Sequence, residues 1–237
     1  MRLKSKHLKK YAPTAWENEQ MFEEKALLEA RERITTSREK TPHLDNHSID
    51  LIFREARTHH AWQTKDVTDR QLREIYDLVK YGSTSSNTQP GRLIFIRSHE
   101  AKEKLRPCLM PANVEQTMTA PVTALLAFDL DFYTDFPKLY PVRPELGKKF
   151  EENTQLAEKF AFQQSTLQGA YLIMAVRAVG LDAGGMGGFD TDAADKAFLN
   201  GKNWKSNFLC NIGYGDLAGI TSPRLYRYDF NEVCEII

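Results

Sequence analysis

The sequence predicts an α/β or α+β sandwich, and three observations carry the expectation. Residues 155–179 form one long helical stretch that becomes nearly all apolar toward its end. Three short apolar runs, at 93–96, 121–129 and 207–214, have the length and composition of core strands. Between them lie segments with helical spacing and helix-start signals, so helices alternate with a few strands.

The long helix organises the rest. Leu156, Phe160 and Leu167 fall near one stripe, with Glu158 and Lys159 off it. From Leu167 to Val179 only Gln168, Gly169 and Arg177 interrupt the apolar residues. A helix apolar on every side has to be covered on every side, by its own domain or by a partner subunit. The run is shorter than the roughly 20 apolar residues of a membrane span. Gly180 ends it, and the run Gly184-Gly185-Met186-Gly187-Gly188 follows. That run is too glycine-dense for ordinary strand and too short for a linker, and it leaves backbone open to a flat ligand.

With 237 residues, 41% apolar composition and 13 phenylalanines, the chain can bury one substantial domain with some left over. The formal net charge is zero, which gives no field favouring nucleic acid or an anionic membrane. No signal or transmembrane segment is evident, and Cys108, Cys210 and Cys234 are far apart with no metal-ligand spacing. These features suit free thiols in a reducing cytoplasm and no metal site.

Residues 1–48 read as a charged arm and linker. Arg2, Lys4, Lys6, Lys9 and Lys10 open it, a charged helix is expected over 17–34, and 35–48 read as linker. The compact domain is expected from 49 to 237. A short helix is expected at 49–57, followed by Arg57-Thr58-His59-His60. Thr68 and Gln71 make a capping box ahead of a helix facing inward with Leu72, Ile75, Tyr76 and Val79. The polar loop 83–90 precedes the first strand, and a helix is expected at 100–109. Residues 132–152, rich in proline and charge, could form a mobile flap, and a short helix is expected at 192–199.

Three segments could bind a ligand. Arg57 and its histidines suit a phosphate, since arginine makes bidentate, permanently charged contacts. The loop 83–90, Ser-Thr-Ser-Ser-Asn-Thr-Gln-Pro, can donate to and accept from a polar ring edge, although it is also an ordinary turn composition. The glycine run 184–188 exceeds what one turn needs. No Gly-x-Ser-x-Gly or Gly-x-Gly-x-x-Gly element appears, so no separate nicotinamide domain is expected.

Together these segments resemble the flavin-dependent nitroreductase family over roughly 49 to 234. The loop looks like that family's Ser-x-Asn-x-Gln-Pro motif, and 167–190 looks like its central helix and flavin loop. The wording of EARTHHAW, STLQGAY and WKSNFLCNIGYGD is similar to the malonic semialdehyde reductase branch. The resemblance implies a mixed sheet flanked by helices, with the long helix at the interface of a homodimer that shares two flavins. It implies FMN as cofactor and NADH or NADPH as reductant. Hydride would pass through flavin N5 to a small electrophile, such as malonic semialdehyde, with nitroaromatics and quinones as side substrates. Arg57 and His59, with Thr58 between them, would lie near the phosphate or ribityl end, and Arg224 would complete the phosphate site. Asn87 and Gln89, with Ser85, would meet the polar ring edge and ribityl chain. Gly187 and Gly188 would present backbone N–H to N5, and no side chain is required as nucleophile or general base. A semialdehyde also carries a carboxylate, and Arg92, just after the loop 83–90, is the candidate cation for it, the alternative being an ordinary exposed surface arginine.

One departure stands out. The family's Arg-x-Ser-x-Arg or Lys is replaced by Arg57-Thr58-His59-His60-Ala61-Trp62, one residue shorter and lacking the second basic residue beside N1. His59 or His60 could substitute, or could be structural. Competing readings on the same scaffold are a non-catalytic flavin carrier or interaction protein, and another chemistry such as dehalogenation or flavin fragmentation.

Overall fold

The computed structural model describes residues 15–41 and 43–237, without side chains for 15–23. The basic start at Arg2 to Lys10 therefore lies outside the described residues. The chain divides after Ile49. In the first part, α1 spans Ala15–Lys40 and α2 spans Asn46–Ile49. The expected linker is thus helical through Lys40, because neither glycine nor proline occurs from Ala15 to Thr41. Leu27, Leu28 and Ile34 of α1 are exposed.

The second part, Asp50–Ile237, holds the sheet and the candidate site. It opens with a π-helical turn, Asp50–Arg54, where an ordinary short helix was expected. Helix α3 follows at Asp69–Val79, closed at its start by the Thr68–Gln71 capping box. Strand β1 (Gly91–Ile96), α4 (His99–Leu105), α5 (Pro111–Thr119) and β2 (Val122–Asp129) come next. Two short helices, α6 (Phe136–Leu139) and α7 (Lys148–Glu151), lead into the long helix α8, Thr154–Ala178. The chain ends through β3 (Asp182–Met186), α9 (Thr191–Phe198), β4 (Trp204–Gly213) and α10 (Phe230–Val233).

The four strands lie in the order β1-β2-β4-β3, each pair antiparallel. A single parallel bridge, Thr58 to Ala183, attaches the segment after the π-turn to the β3 edge. Helix α8 crosses one face and touches all four strands. Its Leu172 and Val176 join Leu72 and Ile75 of α3, Val122 and Ala124 of β2, and Ile212 of β4 in one core. Leu125 and Ala127 of β2 point to the other face, against Leu105, Leu109, Phe189 and Leu199. Burial on both faces explains why β2 reads as a continuous apolar run rather than an alternating one. Each buried leucine, isoleucine, valine or phenylalanine among them contributes about 1.5–3 kcal/mol. Gly169 sets how closely α8 approaches the sheet, since a Cβ there would lie 2.3 Å from the Phe208 ring.

Three expectations change. The glycine run is partly strand: Gly184 and Gly185 sit inside β3, where pairing with β4 outweighs the weak intrinsic preference of glycine. Residues 132–152 are not a free flap. Phe132, Phe136 and Phe150 are buried, with ring centroids 5.0 Å apart for Phe132–Phe150 and 4.8 Å for Phe150–Phe160. Finally, α5 was not anticipated, although Pro111 at its first turn is a helix-start signal.

Candidate functional site

The π-turn and the segment around Ser222 form one wall of a cavity of about 410 Å³. Arg57, Arg177, Arg224 and Arg227 line it, together with Thr58 and His60. Arg57 donates from Nη2 to the Ser222 carbonyl at 3.0 Å. Arg224 donates to the carbonyls of Arg54 and Ala56, the latter at 2.9 Å, and Arg177 donates to that of Ile52 at 2.8 Å. The arginines thus tie the π-turn to the late chain while presenting positive charge to the cavity.

Arg177 is the residue that sequence reasoning missed, since it read only as an interruption of the apolar helix. Burial pushes its guanidinium below the ordinary value, and Arg224 adds to that, while Cys210 and Asp182 act the other way. Among the described residues its Nε is buried without a hydrogen-bond partner. Orphaned buried donors are uncommon, and one beside three further arginines marks a place for an anion.

A second cavity of about 390 Å³ adjoins the first, with Thr58 and Arg177 on both walls. Ile173, Gly185, Met186, Gly187 and Phe208 complete it. At Gly187 nothing lies within 4 Å of where a Cβ would stand, so the backbone faces open space. At Gly188 a Cβ would lie 2.5 Å from the Asn113 amide, whose Nδ2 donates to the Gly188 carbonyl at 2.8 Å. Arg57, Thr58 and Arg224 thus line the first cavity, Thr58 and Gly187 line the second, and Gly188 follows Gly187 in the chain.

The others are not part of this trough. His59 is buried, its Nε2 3.3 Å from the Asp182 carboxylate, and it supports the β3 edge rather than lining either cavity. Ser85, Asn87 and Gln89 lie on another flank of α8. The Ser85 N–H donates to Gln164 Oε1 at 2.7 Å, and Tyr171 Oη donates to the Ser83 carbonyl at 3.0 Å. Asn87 donates to the Leu139 carbonyl and accepts from Gln89. Ser86, Asn87 and Gln89, interrupted by the right-handed Thr88, have φ of 51°, 52° and 41°, left-handed conformations that cost strain and commonly accompany function.

Arg92 sits in a separate groove of about 800 Å³ with Gln89, Tyr76 and Trp204. Its guanidinium lies 2.7 Å from Asp129 and 3.8 Å from Asp135, so its charge is already neutralised. This geometry does not leave it as the carboxylate clamp that was expected. Among the described residues, no cluster of His, Cys, Asp and Glu could hold a metal ion.

The model of the nitroreductase family matches residues 53–214, well over half the chain. The chain belongs to the nitroreductase family. A relative from Polynucleobacter asymbioticus, provisionally named NADH dehydrogenase/NAD(P)H nitroreductase, is 47% identical over 194 residues. That match covers 82% of this chain and 98% of the relative. Among solved structures, the Bacillus subtilis nitroreductase homologue YdfN aligns with a TM-score of 0.71 at 18% identity, covering 81% of this chain and all of the other. A nitroreductase homologue from Exiguobacterium sibiricum, solved in complex with FMN, aligns at 0.69 and 21% identity over 82% and 98% of the two chains. At such identities these structures establish the nitroreductase fold. The matched span of the nitroreductase model runs from the π-turn to the end of β4. It includes Arg57, Arg177 and Gly188 and leaves Arg224 outside.

Proposed function

We propose that this nitroreductase-family chain is an FMN-dependent NAD(P)H oxidoreductase acting on a small electrophilic acceptor. The orphaned Arg177 Nε among Arg57, Arg224 and Arg227 carries the reading, because it fits a terminal phosphate. The joined cavity, with open backbone at Gly187, suits the flat remainder of the cofactor. Bound FMN would supply hydride transfer between nicotinamide and acceptor. The protein's share is to hold: the arginines neutralise the phosphate, and Asn113 keeps the Gly188 carbonyl turned toward α5. The fold neighbour's FMN and the relative's NAD(P)H name support the same cofactor pair. Malonic semialdehyde remains the acceptor that the sequence wording favours.

The test is direct. Flavin released from the purified protein by denaturation should be FMN, and NADH or NADPH should bleach the bound flavin anaerobically, with an aldehyde, quinone or nitroaromatic restoring the colour. Released FAD, or no bleaching by either nicotinamide, would overturn the reading.

We further infer a homodimer through α8. Tyr171 on the loop flank and Ile173 on the cavity flank stand about 160° apart around the helix axis. Leu167 and Ala170, exposed, and the half-buried Met174 form the outward stripe between them. A second copy covering that stripe would bring its Ser85–Gln89 loop toward the cavity of the first, uniting the separated motifs. Met174→Asp, measured by sedimentation, should give monomers with weakened flavin binding. A wild-type monomer holding FMN would rule this out.

A further inference from the structure

One hydrogen-bonded chain leaves the glycine loop and ends at His60, and its polarity can be read from one end. The Gly188 carbonyl can only accept, so Asn113 must turn Nδ2 toward it, at 2.8 Å. Asn113 Oδ1 therefore faces Gln116, whose Nε2 donates to it at 2.6 Å. That leaves Gln116 Oε1 facing His60 Nδ1, which must be the donor. Gln116 is itself fixed: it is buried, and its main-chain carbonyl accepts from Trp62 Nε1 at 2.9 Å and Asn211 Nδ2 at 3.2 Å.

We propose that Gln116 is a positioning residue that keeps the proton of neutral His60 on Nδ1, so that His60 offers the cavity an acceptor nitrogen, Nε2. The side chain at this point would then take a ligand hydroxyl or ring N–H rather than supply the missing family cation. His60 lines the arginine cavity, whose other polar side chains include permanent donors, Arg57, Arg177, Arg224 and Arg227. An acceptor among them selects a ligand that has hydroxyls as well as an anionic group, as a ribityl phosphate does. The ligand half of this inference rests on the FMN reading above; the tautomer half does not.

The experiment has two arms. In 15N-labelled, flavin-free full-length protein, long-range 15N–1H correlation should show neutral His60 as the Nδ1–H tautomer. Gln116→Met should move it to the Nε2–H form favoured in water. Gln116→Glu, which retains an acceptor toward His60 but no donor toward Asn113, should keep Nδ1 protonated, and it serves if the Met variant fails to fold. A wild-type Nε2–H tautomer, or loss of the Nδ1 proton in Gln116→Glu, would overturn the proposal. In the second arm, fluorescence titration of Gln116→Met and His60→Leu should show FMN and riboflavin both bound about fivefold more weakly, the effect of one neutral hydrogen bond. Unchanged affinities for both flavins would overturn the ligand half. Absence of flavin binding by the wild type would instead overturn the FMN reading and leave the tautomer standing.

Discussion

Between pH 7 and 9 the unfolding free energy should rise by about 2 kcal/mol in the wild type, and Lys102→Met should abolish that rise. Lys102, on α4, is only 4% exposed. Its Nζ donates to the Thr117 carbonyl at 2.7 Å and to Thr123 Oγ1 at 2.6 Å. Neither acceptor carries charge, and burial pushes the ammonium down to about 7. A lysine lowered from 10.5 is penalised wherever the folded protein must protonate it. The cost is therefore full below pH 7 and fades as pH rises toward 10.5, because there the unfolded chain binds more protons. The Cys210 thiol, pushed up to about 12 by burial, opposes this trend only above its ordinary value near 9, which sets the upper limit of the window. Urea unfolding at pH 7, 8 and 9 reads both slopes. Parallel slopes in the two proteins would show that Lys102 is not the titrating group.

Arg177→Met should weaken FMN binding by about 10- to 100-fold, the worth of one hydrogen bond to a charged group. Thermal stability should fall little, since the variant loses the bond to Ile52 but also removes a desolvated cation with an unpaired Nε. The contrast between binding and stability is the point of the measurement. Calorimetry and a melting curve on the same samples decide it. A large loss of Tm with unaltered FMN affinity would make Arg177 a strut of the π-turn instead of an anion ligand.

These two residues also show where a sequence can be read and where it cannot. The helix start at Thr68, the strand at 122–129 and the long helix were legible because each depends on neighbours within a few residues. The meeting of Arg57 with Arg224 was legible only through family resemblance, for nothing local links positions 167 residues apart. Arg177 was hidden by its surroundings, since a lone charge near the end of an apolar helix looks like a snorkelling surface residue. Gly184 and Gly185 misled for the opposite reason: composition denied a strand that an available β4 edge then imposed. His59 and His60 are adjacent and chemically identical, so only the fold could bury one against Asp182 and turn the other to Gln116.

Strand β3 has a consequence in time as well as in shape. It is held along its length by β4, while among the described residues its other edge has as backbone pairing only the bridge from Thr58 to Ala183. Two of its five residues are glycine, which lose the most backbone freedom on ordering. Local opening in a folded protein starts where few contacts oppose it. The wall of the Gly187 cavity is thus built on an edge strand, where fewer partners oppose local opening than in the buried strand β2. Ligand entry and release can follow the breathing of that one edge, while the buried strand β2 and its two core layers stay closed.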